Sequence, residues 1–128
     1  MDKCFDKKLK KGLLHHFEGR LDEALKIYND ILDDSPENPE ALQLAGALVL
    51  DRGDAKAACE LLKKAKQLNP GFAPVKINYG IALAACDQAK DALAEFEEAI
   101  TLAPHSPDGY YNAGKVLLGV GRASDARD

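Results

Sequence analysis

Apolar side chains recur along this chain at intervals of three and four, in runs separated by short polar interruptions. The stretch PVKINYGIALAACDQ shows the pattern, with Ile77, Ile81 and Leu83 spaced as one face of a helix. The following stretch, KDALAEFEEAITLA, repeats it with Ala92, Leu93, Phe96, Ala99 and Ile100. The spacing predicts two successive helices joined by a short turn at Asp87 and closed by Pro104, which cannot continue a helix and forces its predecessor out of the α region.

The same pair recurs through the whole chain. Gly12, Gly46, Gly80 and Gly114 are each 34 residues apart; Ala24, Ala58, Ala92 and Ala126 keep that interval, as do Pro36, Pro70 and Pro104. Three residue types locked to one period define an internal repeat, and each unit is a supersecondary motif that buries its apolar face against its neighbours. The inter-helix turns fall at Gly19, Gly53, Asp87 and Gly121, residue types that tolerate the left-handed backbone ending a helix. A glycine inside a helix costs up to about 1 kcal/mol relative to alanine, so its recurrence implies a packing gain that outweighs the cost. Close crossing of the paired helices at Gly46 with Ala58, and at Gly80 with Ala92, supplies that gain, and Leu62 and Phe96 are expected to fill space against the next unit.

These residues resemble the tetratricopeptide repeat, whose signature is W-x2-L-G-x2-Y, then A-x3-F, then P, over 34 residues. The third unit carries Lys76, Tyr79-Gly80, Leu83, Ala92, Phe96 and Pro104; the second carries Leu42, Ala45-Gly46, Val49, Ala58, Leu62 and Pro70. The first departs from the pattern at Lys8, Lys11 and His15 but keeps Gly12, Ala24, Tyr28 and Pro36. The resemblance covers residues 5 to 128, in repeats of roughly 5–38, 39–72, 73–106 and a truncated 107–128. It implies an all-α fold, a right-handed superhelix of antiparallel helix pairs, and a single domain over 1–128.

In that superhelix the first helix of each unit lines the concave wall, facing inward through Leu9, Lys10, Leu13 and Phe17, then Gln43, Leu44, Ala47 and Asp51, then Ile77, Asn78, Ile81 and Ala85, then Tyr111, Asn112, Lys115 and Gly119. The resemblance therefore implies a groove for a partner's extended segment or helix, carried by Gln43, Leu44, Ala47, Ile77, Asn78, Ile81, Tyr111, Asn112 and Lys115. Asn78 and Asn112 occupy equivalent places and resemble the asparagine ladder of O-linked N-acetylglucosamine transferases, which holds peptide backbone; Lys10 and Leu44 stand at the earlier rungs. The carboxylate clamp of heat-shock co-chaperones needs Lys three before the glycine and Asn one after it. Leu9 and Leu13, Gln43 and Ala47, and Ile77 and Ile81 stand there instead, so a clamp for chaperone tails is not expected.

The fourth unit breaks off at Ala126, just inside its second helix. Tyr110, Val116, Leu117 and Val120 then lack a covering helix. The chain reads as a piece of a longer protein, and its exposed end is expected to pair with a second copy.

Composition narrows the remaining chemistry. With 46% hydrophobic and 30% charged residues in 128, the chain is long enough for a core, and its mild net charge of −4 gives no footprint for nucleic acid. The basic cluster Lys7, Lys8, Lys10 and Lys11 reads as a solvated helix face. No run reaches the roughly 18 apolar residues of a membrane span, no signal peptide is evident, and a cytoplasmic location is expected. Cys4, Cys59 and Cys86 are widely spaced and read as reduced thiols; neither a metal site nor a cofactor is expected. His15 and His16 are adjacent and so project about 100° apart on a helix, too far to share an ion. His105 lies in a linker, and GVGRAS lacks the preceding strand of a phosphate loop. No catalytic group emerges. The expected function is a protein-interaction scaffold; the alternative is the substrate-recruiting repeat region of a larger glycosyltransferase or sulfotransferase-type enzyme.

Overall fold

A computed structural model describes the backbone of residues 3–127 and the side chains of residues 6–121. Among the described residues there are seven helices and no strand. The chain divides into two compact units, Met1–Asn69 and Pro70–Asp128. The first contains α1 (Lys3–Phe17), α2 (Leu21–Asp34), α3 (Pro39–Asp51) and α4 (Ala55–Leu68); the second contains α5 (Ala73–Ala85), α6 (Ala89–Leu102) and α7 (Pro107–Arg127). Within them α1 packs on α2, α3 on α4 and α5 on α6. In the first unit α2 also meets α3, and in the second α7 packs on α6 and touches α5.

Local chemistry sets the ends of these helices. Asn38 accepts from the Ala41 amide at 3.0 Å and Asp54 from the Ala57 amide at 3.1 Å, the side-chain caps of α3 and α4, each worth about 1 kcal/mol. Pro39 follows Asn38 directly, where its missing N–H is no loss. The turns inside the pairs are left-handed, with φ of 80° at Gly19, 90° at Gly53 and 62° at Asp87. Each is closed by the bond pair that satisfies the last carbonyls of a helix: Arg20 N–H donates to His15 and Gly19 N–H to His16, a pattern repeated by Asp54 and Gly53 and by Gln88 and Asp87.

Three of the repeated glycines act as sockets within their own helix pairs. Gly12, Gly46 and Gly80 each receive a large buried side chain from the second helix of their own pair, sixteen residues later in the sequence. A Cβ on Gly12 would lie 2.6 Å from a Tyr28 ring carbon, on Gly46 2.6 Å from Leu62 Cγ, and on Gly80 2.4 Å from a Phe96 ring carbon. Leu62 and Phe96 therefore fill space within their own pairs. They sit beside the alanines Ala58 and Ala92, and all four side chains are fully buried. The core of the first unit is completed by Ile31, Leu42, Ala45, Leu48 and Ala65, and that of the second by Val75, Ala82, Leu83 and Ala99.

Tyr28 is the polar exception in the first core. Its Oη is buried without a hydrogen-bond partner among the described residues, and that burial raises the phenol above its ordinary value of 10.0. Because a stranded buried hydroxyl costs about 1–3 kcal/mol, Tyr28→Phe should leave stability unchanged or raise it by about 1 kcal/mol. The raised value favours the neutral form in the folded state, so as pH climbs past 10 the unfolded chain ionises first and stability falls. Chemical denaturation at pH 7 and across pH 9–11 measures both effects, and the difference between wild type and Tyr28→Phe isolates this residue from the other alkaline groups.

The fourth unit departs from expectation. No turn forms at Gly121; α7 continues as one helix to Arg127. Glycine permits a left-handed turn but does not impose one. At Gly19 and Gly53 the following helix packs back on its predecessor and repays the chain reversal. Ala126 and the other side chains beyond Gly121 lie outside the described residues, as does Cys4.

Candidate functional site

The first unit contributes Gln43, Leu44 and Ala47, all half-buried on α3. Of the other side chains expected on the concave wall there, Leu9 and Leu13 are half-buried, Lys10 is exposed, and Phe17 is 88% exposed at the end of α1. Asp51 is engaged: His16 Nε2 donates to its Oδ2 at 2.8 Å, across from α1 to α3. His15 points instead to α2, with Nδ1 3.5 Å from Glu23 Oε2. The 100° between neighbouring helix positions thus turns the two imidazoles toward different helices. Among the described residues no three His, Cys, Asp or Glu side chains are grouped to hold a metal ion. Arg52 pairs with Asp22 at 3.0 Å in the same region; exposed pairs of this kind add little beyond register.

The second unit holds the other six groove residues. Ile77, Asn78 and Ile81 are half-buried on α5, Asn112 is half-buried on α7, and Tyr111 and Lys115 are exposed. Lys115 stands over the Tyr111 ring, its ammonium 5.4 Å from the centroid, a cation–π contact along one helix face. The Asn112 amide donates to the Asp108 carbonyl at 2.9 Å, one turn back in its own helix. That bond uses one of its donors and leaves the amide oxygen and a second N–H.

Ile77 and Asn78 open onto a cleft of about 360 Å³, whose other walls are Ala73, Pro74, Ala99, Ala103, Ser106, Asp108 and Gly109. Sequence reasoning missed the α7 side of it. A signal was present: Gly109 stands 34 residues after Val75 and 68 after Ala41, both buried apolar positions. With no side chain it lets α7 approach until a Cβ there would be 2.7 Å from Ile100 Cγ1, and it leaves the cleft unfilled.

Elsewhere in the unit Lys76 is buried, reaching Glu98 of α6 with Nζ 2.6 Å from Oε2. It occupies the position where the repeat signature has Trp, so its methylene stem substitutes for part of an aromatic wall. On α7, Tyr110, Leu117 and Val120 are exposed and Val116 is half-buried. Leu118, also exposed, broadens that apolar surface.

Residues 9–71 match the family model described as tetratricopeptide repeat. Superposition extends the likeness to nearly the entire chain: the repeat domain of Sgt2 from Aspergillus fumigatus aligns with a TM-score of 0.90 at 19% identity, covering 99% of this chain and 85% of that one. The chain is a tetratricopeptide-repeat protein. The first repeat domain of Spaghetti (RPAP3), solved bound to the HSP90 peptide SRMEEVD, aligns with a TM-score of 0.86 at 20% identity, covering 91% and 93% of the two chains. Among curated relatives, the repeats are 29% identical over 105 residues to Protein CTR9 homolog of Arabidopsis thaliana, spanning 81% of this chain and 10% of that protein. They are 26% identical over 113 residues to the probable UDP-N-acetylglucosamine–peptide N-acetylglucosaminyltransferase SPINDLY of Hordeum vulgare, spanning 83% of this chain and 12% of that protein. The chain thus spans about a tenth of the length of these two curated relatives. The helical repeat is in general an interaction module without catalysis of its own.

Proposed function

We propose that this tetratricopeptide-repeat chain holds an extended segment or helix of a protein partner on the first helices of its repeats, through Gln43, Leu44 and Ala47 on α3 in the first unit and, in the second, through Ile77, Asn78 and Ile81 on α5 with Tyr111, Asn112 and Lys115 on α7. The observation that carries the reading is the cleft entered by Ile77 and Asn78, apolar in its walls and with a few polar groups at hand, the make-up of a recognition site. The peptide held by the structurally similar RPAP3 domain supports the same use of this fold. The exposed apolar face of α7 adds a surface through which a second copy pairs.

The test is retention of displayed random peptides by the intact protein and by Asn78→Ala with Asn112→Ala. Two lost amide contacts, at about 0.5–1.5 kcal/mol each, should weaken the retained peptides roughly tenfold. Stability should hold or rise slightly, since Ala is the better helix former. Equal loss of binding and of melting temperature makes the asparagines structural and removes the reading. Light scattering of the same samples at high concentration should give a dimer mass; a clean monomer removes the pairing.

The similarity to the barley transferase favours one other reading, in which these repeats recruit substrate for a larger glycosyltransferase or sulfotransferase-type enzyme. The gene sequence downstream of Asp128 decides it: a catalytic domain supports this reading, and further repeats alone dismiss it.

A further inference from the structure

The cleft beside α5 has a charge character that none of the groove residues foretold. Its walls are small and apolar, with Ala99 on α6, Ala103 just past the end of that helix, Ile77 on α5, and Gly109 adding no side chain. At about 360 Å³ it lies near the lower end of ligand pockets, a size suited to one side chain and not to a whole helix. The Asn78 amide and the Ser106 hydroxyl are the neutral polar groups of the lining, and both residues are half-buried. Asp108 is the one ionisable side chain in the lining among the described residues, and it is exposed. Lys115 is two turns further along α7, roughly 10 Å along the axis, and lies over Tyr111.

A segment entering this cleft must therefore bring an uncharged side chain for the walls, and the charge it meets at the rim is negative. An acidic tail such as the SRMEEVD held by the RPAP3 domain would set carboxylates against Asp108. Like charges side by side are an effective means of rejecting a partner. We propose that the cleft takes an aliphatic side chain of a partner segment that also carries a Lys or Arg one or two residues away, with the cation seated on Asp108. This deepens the peptide-binding reading and rests on it: Ile77 and Asn78 belong to both, while Ser106, Asp108 and Gly109 supply the specificity.

A displayed library of random twelve-residue peptides, selected on the intact protein and followed by fluorescence polarisation of the recovered peptides, tests the assignment. The expected consensus is Leu, Ile, Val or Met next to Lys or Arg, with affinity that falls as salt rises. Asp108→Lys should weaken these peptides at least tenfold and Asp108→Asn severalfold, and Ala103→Leu, which fills the cleft, should abolish binding. Melting curves by circular dichroism check that the variants fold; if Asp108→Lys melts early, Asp108→Asn carries the comparison. An acidic or uncharged consensus, or indifference to Asp108→Lys, overturns this inference while leaving the broader reading in place. Recovery of no peptide at all overturns both.

Discussion

Phe96→Ala should cost about 3–5 kcal/mol of folding free energy, the largest effect expected of any single truncation in this chain. The ring is fully buried on α6 and its edge rests on the bare backbone of Gly80, with 2.4–2.8 Å between three ring carbons and the place a Cβ would occupy. Removing it leaves a void with glycine on one wall, and glycine has no side chain that can move in. Alanines Ala92 and Ala99 on the same helix are equally unable to reach across. Phe96→Leu should cost less than half as much, because Leu62 already fills the corresponding space against Gly46. Urea denaturation followed by circular dichroism measures both; a loss below 1 kcal/mol for Phe96→Ala would contradict the socket described for Gly80.

The second large effect is a difference of sign between two glycines that the repeat makes equivalent. Gly80→Ala gains up to about 1 kcal/mol of helix propensity but drives a methyl group into a rigid, buried ring, an overpacking cost of about 1–3 kcal/mol. The net result should be destabilisation. Gly114→Ala meets nothing within 4 Å and keeps the whole propensity gain, so it should raise stability by up to about 1 kcal/mol. Combining Gly80→Ala with Phe96→Ala should cost less than the sum of the two, since the added methyl then occupies part of the void. Measured changes of the same sign at the two glycines would mean that the packing at Gly80 is looser than its geometry indicates.

Much of the architecture was legible because it is local. A period of 34 in glycine, alanine and proline specifies helix, left-handed turn and stop by propensity and backbone sterics alone, and the turns at Gly19, Gly53 and Asp87 appear where those residue types stand. Gly121 shows the limit of that logic, since the same residue type there lies inside one continuous helix. Leu62 and Phe96 show it again: apolar periodicity says that a side chain is buried but not which neighbour receives it. The nine groove positions were named by analogy along the repeat; the tertiary structure put Ile77 and Asn78 at a cleft, tied Asn112 to its own helix, and laid Lys115 over Tyr111.

The amino-acid sequence by itself determined the repeat and the all-α class, because residue type and spacing act within a few turns of chain. Only the tertiary structure decided which side chain fills each glycine socket, where the two histidines reach, and that Asp108 stands at the mouth of an apolar cleft. Those facts depend on distances between helices that are far apart along the chain, and such distances follow from how whole elements pack, to within an ångström, and not from any local preference.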